Sequence, residues 1–380
     1  MEFKITEDMI KNSIVSKGDI SRIVQVMNKA KNGQDICVAF LGGSITQGCN
    51  ATKFEECYAS RTYKWFKDTF NNVNVEYVNA GVGATGSIIG VHRVEEQVLS
   101  KNPDIVFIDF AVNDKNTIYD KIAYESLIRR ILSTQNPPAI IEVFMTNFDG
   151  SNVQEQQIEI GRKYKIPMIS FRDTVYIEII SNKLKWEEVG SDEVHPNDYG
   201  HFIISELLIS FMQNIYQNLN EVNSEEIQLG TPLFGDEYIN GKILNSTNLN
   251  CETTSTFKVD EEGFQVFKNG WQFNDSEGKK AILKTNIEGK NIFLLFKKSV
   301  KNNAGKIEVK INGKESKIID TYFENGWGDY SATEVLVENS LKKNHDIEIR
   351  VINEDKPVED RKSTRLNSSH PSSSRMPSSA

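Results

Sequence analysis

The hydrophobic and polar positions divide this chain into two textures. Up to about residue 220, short apolar runs alternate with stretches whose apolar residues recur at helical spacing. Ile36-Cys37-Val38-Ala39-Phe40-Leu41 is an unbroken apolar run closed by Gly42-Gly43, the pattern of a buried strand. Val73–Val78, Asp104–Phe110, Ala139–Phe144 and Pro167–Phe171 read as further strands. Between them, Ile20, Ile23, Val24 and Met27 mark a helix over Asp19–Ala30. Helices are likewise expected over Tyr58–Phe70, Ser87–Leu99, Tyr119–Ser133, Asn152–Tyr164 and Asp198–Tyr216. Strands alternating with helices of this length predict βαβ units and a parallel sheet.

From residue 221 to 357 the runs are short and alternate with period two, as in Ala281–Thr285, Asn291–Phe296, Lys306–Ile311 and Asp346–Ile352. Asn312-Gly313 after the third of these is a hairpin-turn signal. Seven or more such strands predict an all-β sandwich or jelly roll. The change of texture falls in the polar stretch Leu219–Ile227, so domains are expected over 1–220 and 221–357. Residues 358–380 are rich in Ser, Pro and Arg, with too little apolar material for a core, and are expected to be disordered. The string from Arg361 to Pro371 resembles translated vector or adapter sequence, so His370 is set aside as a candidate ligand.

Composition narrows the function classes. With 38% hydrophobic and 26% charged residues, the 380-residue chain has apolar material for real cores. A net charge of −9 with interspersed signs argues against nucleic acid and anionic membranes as partners. No apolar stretch approaches the roughly eighteen residues of a membrane span. The N-terminus is polar and acidic, unlike a secretory leader, so a cytoplasmic location is expected. Cys37, Cys49, Cys57 and Cys251 form neither a disulfide framework nor a zinc-site spacing.

The candidate chemistry begins at Ser44, placed by the Gly42-Gly43 turn at the carboxyl end of a strand, where open α/β sheets bind ligands. A serine hydroxyl needs a base within hydrogen-bond reach, and the base needs a partner that fixes its tautomer. Of the five histidines, His92 and His201 fall in helices, His345 in the β region and His370 in the tail. His195 precedes Pro196, which disfavours helix and predicts a loop, and Asp192 three residues earlier can reach its Nδ1. Two loops after strands offer donors for an oxyanion: the glycine loop Asn79–Ser87, through its backbone, and Asn113, through its amide. Asp114 reads as a loop-former and Arg93 as a surface charge on its helix, with substrate contact the alternative. Trp186 reads equally as a pocket wall or as core. Trp271 and Trp327 read as the aromatic core of a sandwich rather than as a sugar platform.

These blocks, in this order, resemble the SGNH (GDSL-like) hydrolase superfamily, whose signature is a Ser, a Gly, an Asn and a His. Gly42-Gly43-Ser44-Ile45-Thr46 is similar to the first block, with Gly43 where the family usually has Asp. Asn79–Ser87 stands for the second, Val112-Asn113-Asp114 for the third and Asp192-Glu193-Val194-His195 for the last. The resemblance covers roughly the first 220 residues and implies a flavodoxin-like three-layer α/β/α domain. It implies Ser44 as nucleophile, His195 as base and Asp192 as its orienter. Gly83, Asn113 and the Ser44 amide would form the oxyanion hole; Ala84 takes the glycine's place if the second block is read without a gap. It implies an acyl-serine mechanism that requires no metal or organic cofactor. The Gly-Gly-Ser-Ile-Thr form and the appended β-domain are most similar to carbohydrate esterases, implying O-acetyl esters on oligosaccharides as substrate. A general short-chain esterase, thioesterase or lysophospholipase, an acyltransferase, and an inactive glycan-binding protein are the alternatives.

Overall fold

Strand β1 (Ile14–Ser16) pairs antiparallel with β6 (Met168–Ser170) at one edge of a six-stranded sheet. The other members are β2 (Ile36–Gly42), β3 (Val75–Gly81), β4 (Ile105–Asp109) and β5 (Ala139–Phe144), all parallel, and the order is β1-β6-β5-β4-β2-β3. The structure is a computed structural model and describes residues 5–219, 228–254, 256–273, 281–302 and 304–352. Most of the expected boundary at Leu219–Ile227, and all of the 358–380 tail, lie outside the described residues.

Without β1, the strand order is that of flavodoxin-like folds, with its switch point between β2 and β4. Every residue of β2 is buried, because helices cover both faces of the sheet. Val38 and Phe40 join the core on one face, Ala39 and Leu41 the core on the other. Gly42 at the end of β2 pairs in register with Gly81 of β3 and Asp109 of β4. Three strand ends therefore stop at one level, and their following loops share one edge. The pattern missed β1, which is only three residues long, and the helices Glu7–Ser13 and Arg172–Ile180.

Beyond helix Asp198–Gln217, the described residues 229–241 run along helix Ile118–Leu132. The buried Glu125 carboxylate accepts from the N–H groups of Leu233 (2.7 Å), Phe234 (2.6 Å) and Gly235 (3.2 Å). Arg129 donates to the carbonyls of Leu229 (3.2 Å) and Gly230 (3.0 Å) and pairs with Asp236, while Arg130 donates to the Gly241 carbonyl at 2.5 Å. The connection is thus fastened to the first domain by charge-assisted bonds.

The second domain is antiparallel. Its strands are β7 (Cys251–Thr253), β8 (Phe257–Asp260), β9 (Gly270–Phe273), β10 (Ile282–Glu288), β11 (Ile292–Lys298), β12 (Lys306–Ile311), β13 (Glu315–Asp320), β14 (Tyr330–Val337) and β15 (Asn344–Ile352). A five-stranded sheet, β13-β12-β15-β10-β7, shares a core with the β11-β14 pair through Ile292, Val309, Ile311, Ile319, Val337 and Ile347. Asn312 (φ +53°) and Gly313 (φ +70°) turn β12 into β13, the primed geometry that their sequence signals. Strands β8 and β9 form a separate hairpin. Trp271 is half-buried in β9, whereas Trp327 is 72% exposed, tilted against Tyr330 and edge-on to Phe323. The expectation of a core role fails for Trp327, because the turn before β14 carries its ring out into solvent.

The domains touch each other. The His92 ring meets Phe293 of β11 edge-on, and Tyr119 donates to Glu338 at 2.9 Å. No helix among the described residues is long and apolar enough to cross a membrane.

Candidate active site

The turn after β2 leads straight into a one-turn helix, Ser44–Gln47. A Cβ on Gly42 would lie 2.2 Å from Thr46 Oγ1, and one on Gly43 would lie 2.1 Å from Asn113 Oδ1. Both glycines are therefore required by close approach. Gly43 in place of the family's Asp leaves room for the Asn113 amide beside the serine.

Ser44 Oγ lies 2.8 Å from His195 Nε2, and His195 Nδ1 lies 2.8 Å from Asp192 Oδ2 and 3.0 Å from Oδ1. With Nδ1–H donating to the carboxylate, Nε2 is left as the acceptor facing the hydroxyl. Asp192 also folds its own loop: Oδ1 accepts from the Val194 N–H at 2.8 Å and the His195 N–H at 2.7 Å. Asn50 Nδ2 donates to Oδ2 at 2.9 Å, and Trp186 Nε1 donates to the Asp192 carbonyl at 2.6 Å. The Trp186 ring packs on Gly190, where a Cβ would come within 2.3 Å of it. Trp186 is thus an anchor of the Asp192 loop.

Electrostatics follow from these contacts. Burial acts to raise the Asp192 carboxyl, but the N–H groups of His195 and Val194 and the imidazole outweigh it and hold it below the usual range. Burial alone would lower His195; the Cys49 side chain and the Asp192 carboxylate overcome this and raise it to about 9. The Asp192 carboxylate is the partner hydrogen-bonded to the ring, at 2.8 Å from Nδ1.

The expected oxyanion donors lie beside the Ser44 turn. The Asn113 side-chain amide has no hydrogen-bond partner among the described residues, and the Ser44 N–H belongs to a first helical turn, which offers it no internal acceptor. Gly83 is brought close enough that a Cβ on it would lie 3.9 Å from Ser44 Cβ. Its N–H donates to Gln47 Oε1 at 2.9 Å, an occupant the sequence reading missed. Gln47 follows Ser44 by three residues, one helical turn, which was the available signal.

The strand ends are braced from beneath. Arg93 is 1% exposed, so neither the surface-charge reading nor the substrate-contact reading of it holds. It donates to the carbonyls of Ala80 (2.6 Å) and Gly42 (2.8 Å), tying the ends of β2 and β3, and burial lowers its pKa to about 9. Asp114 accepts from the Ser87 N–H at 2.6 Å and from Gln157 at 3.1 Å, fastening the Asn113 loop to the helix that follows the glycine loop, Ser87–Gln97. Asp109 accepts from Thr46 Oγ1 at 3.0 Å, and burial pushes its carboxyl up to about 7. His201 is structural as expected: it accepts from the Tyr58 N–H, and burial lowers it to about 4. The cysteines are free, and no group of three or more His, Cys, Asp or Glu side chains that could hold a metal ion occurs among the described residues.

Residues 40–203 match the GDSL-like Lipase/Acylhydrolase family. A solved two-domain esterase (CEX) active on acetylated mannans, co-crystallized with mannopentaose, is 32% identical to the chain. The match covers 92% of this chain and 94% of that one, with a TM-score of 0.85. This chain belongs to the GDSL-like hydrolase family. As a member it is an esterase-class enzyme, and its α/β domain followed by antiparallel sheets matches the two-domain esterase fold. A second structure of the CEX esterase matches at 32% identity over 90% of this chain and 93% of its own, also with a TM-score of 0.85. Axe2, an acetylxylan esterase from Geobacillus stearothermophilus, is 16% identical and covers 50% of this chain and 97% of its own, with a TM-score of 0.40. No curated protein matches by sequence.

Proposed function

We propose that the chain removes O-acetyl groups from oligosaccharides through an acetyl-serine intermediate at Ser44. The observation that carries this reading is the continuous hydrogen-bonded row from Ser44 Oγ through His195 to Asp192, set at the switch point of the sheet. Resemblance over nearly the full length to an esterase active on acetylated mannans supports the substrate class.

In this mechanism His195 Nε2 takes the Ser44 proton as Oγ attacks the acetyl carbonyl. The tetrahedral oxyanion receives bonds from the Ser44 N–H, the Asn113 amide and the Gly83 N–H once Gln47 gives way. His195 returns its proton to the departing sugar hydroxyl. Water then attacks the acetyl-enzyme with His195 again as base, and acetate leaves. Asp192 holds the imidazole in one tautomer and stabilises its charged form.

The test is acetate release from acetylated manno- and xylo-oligosaccharides beside p-nitrophenyl esters of increasing chain length. Short acyl chains and acetylated glycans are expected to be preferred; efficient release confined to long-chain esters refutes the substrate class. Ser44→Ala is expected to lower kcat by about 10⁴-fold or more and to abolish labelling by a fluorophosphonate.

A further inference from the structure

The β8–β9 hairpin of the second domain reaches the glycine loop of the first. Phe264 and Phe267 bridge each other near its tip, exchanging bonds of 3.2 and 3.1 Å, and Gln265 between them has φ +54°. Such a backbone at a residue other than glycine is strained, and strain of this kind persists where the surroundings hold it. Here Gln265 Nε2 donates to the Gly83 carbonyl at 2.8 Å, while Ser331 of β14 donates to Gln265 Oε1 at 2.7 Å. The amide orientation is fixed chemically, since a carbonyl can only accept.

The Gly83 carbonyl sits in a strained turn of its own. The Thr85 N–H donates to the Val82 carbonyl at 3.3 Å, closing a four-residue turn with Gly83 and Ala84 at its centre. Ala84 has φ +58° and Gly83 has no positive φ. A positive φ at the third position alone is the type II pattern, which favours glycine there. Rotating the peptide between Gly83 and Ala84 would give a type I turn, relieve the alanine and swing the Gly83 carbonyl away. The bond from Gln265 opposes that rotation.

We infer that Gln265 is a positioning residue that the β-domain lends to the active site, holding the peptide between Gly83 and Ala84 in its type II orientation beside Ser44. The inference rests on the hydrolase reading above and deepens it: full activity requires both domains for a reason other than substrate affinity.

The experiment compares the full chain with Gln265→Ala and with the double variant Gln265→Ala/Ala84→Gly. Two readouts are used: acetate release, and the second-order rate of fluorophosphonate labelling at Ser44, whose tetrahedral adduct also places an oxygen in the oxyanion site. Gln265→Ala is expected to lower kcat and the labelling rate about tenfold, the worth of one hydrogen bond, with KM little changed. Glycine at position 84 removes the strain, so the double variant is expected to recover most of the loss. A hairpin that only docked the domains would not be rescued by a glycine in the other domain. Unchanged rates in Gln265→Ala, or a loss that Ala84→Gly leaves uncorrected, overturn the inference. If the parent chain labels but releases no acetate from glycans, the substrate class fails and Gln265 is judged on labelling rates alone. A parent chain that does neither ends the hydrolase reading and this inference together.

Discussion

The two sides of the candidate site are built in opposite ways. Ser44 and Asn113 stand on the ends of buried strands, braced by Arg93, Asp109 and Asp114, all nearly inaccessible. Asp192 and His195 stand on a surface loop, where Asp192 is 48% exposed and organises the backbone around itself. In the proposed mechanism the attacking atom and the oxyanion donors require fixed positions, which a packed core supplies. His195, as the base of that mechanism, would change charge during each turnover, and a half-solvated loop tolerates that change. Rigidity and titration are thus assigned to different parts of the chain.

Removing a carboxylate and removing a buried cation should separate the two. Asp192→Asn is expected to lower kcat/KM by about 10³–10⁴-fold, through loss of tautomer control, with folding stability little changed. Because the proposed mechanism needs a neutral imidazole, the acid limb of the profile is expected to follow the His195 pKa, raised to about 9. Loss of the Asp192 charge should therefore move that limb to lower pH, read from kcat/KM against pH. Arg93→Met should do the reverse: a stability loss of about 2 kcal/mol by denaturant titration, because strand-end carbonyls lose donors, with the pH limb unmoved. Equal stability losses in the two variants would erase the contrast. The smallest effect is expected from Cys49→Ser, which removes the sulfur that helps raise His195. Its acid limb should shift slightly downward while the high-pH plateau stays put.

The half of the site built on strands was legible in the sequence, because a buried parallel strand writes itself as an apolar run and its closing glycines mark the sharp turn at its carboxyl end; that Asn113 packs against Gly43 only the fold reveals. His195 was legible because Pro196 excludes helix there. Arg93 was not, since a charged residue in a helix is ordinarily solvated, and only the fold reveals that strand-end carbonyls surround it. β1 escaped because three residues are too few for a periodic signal. Gln265 escaped because its role depends on contact across 182 residues of chain, which local pattern does not encode. Trp327 misled because an aromatic in a β region is usually packed, and a turn overrode that preference.

The fastening of residues 229–241 to helix Ile118–Leu132 bears on how this protein can be dissected. An excised hydrolase unit ending near residue 219 would strip the Glu125 carboxylate of three backbone amides and leave it only the Tyr164 hydroxyl among its present donors. Arg129 and Arg130 would likewise lose their carbonyl acceptors in that segment. The smallest autonomous piece of this esterase therefore extends past helix Asp198–Gln217, to about residue 241.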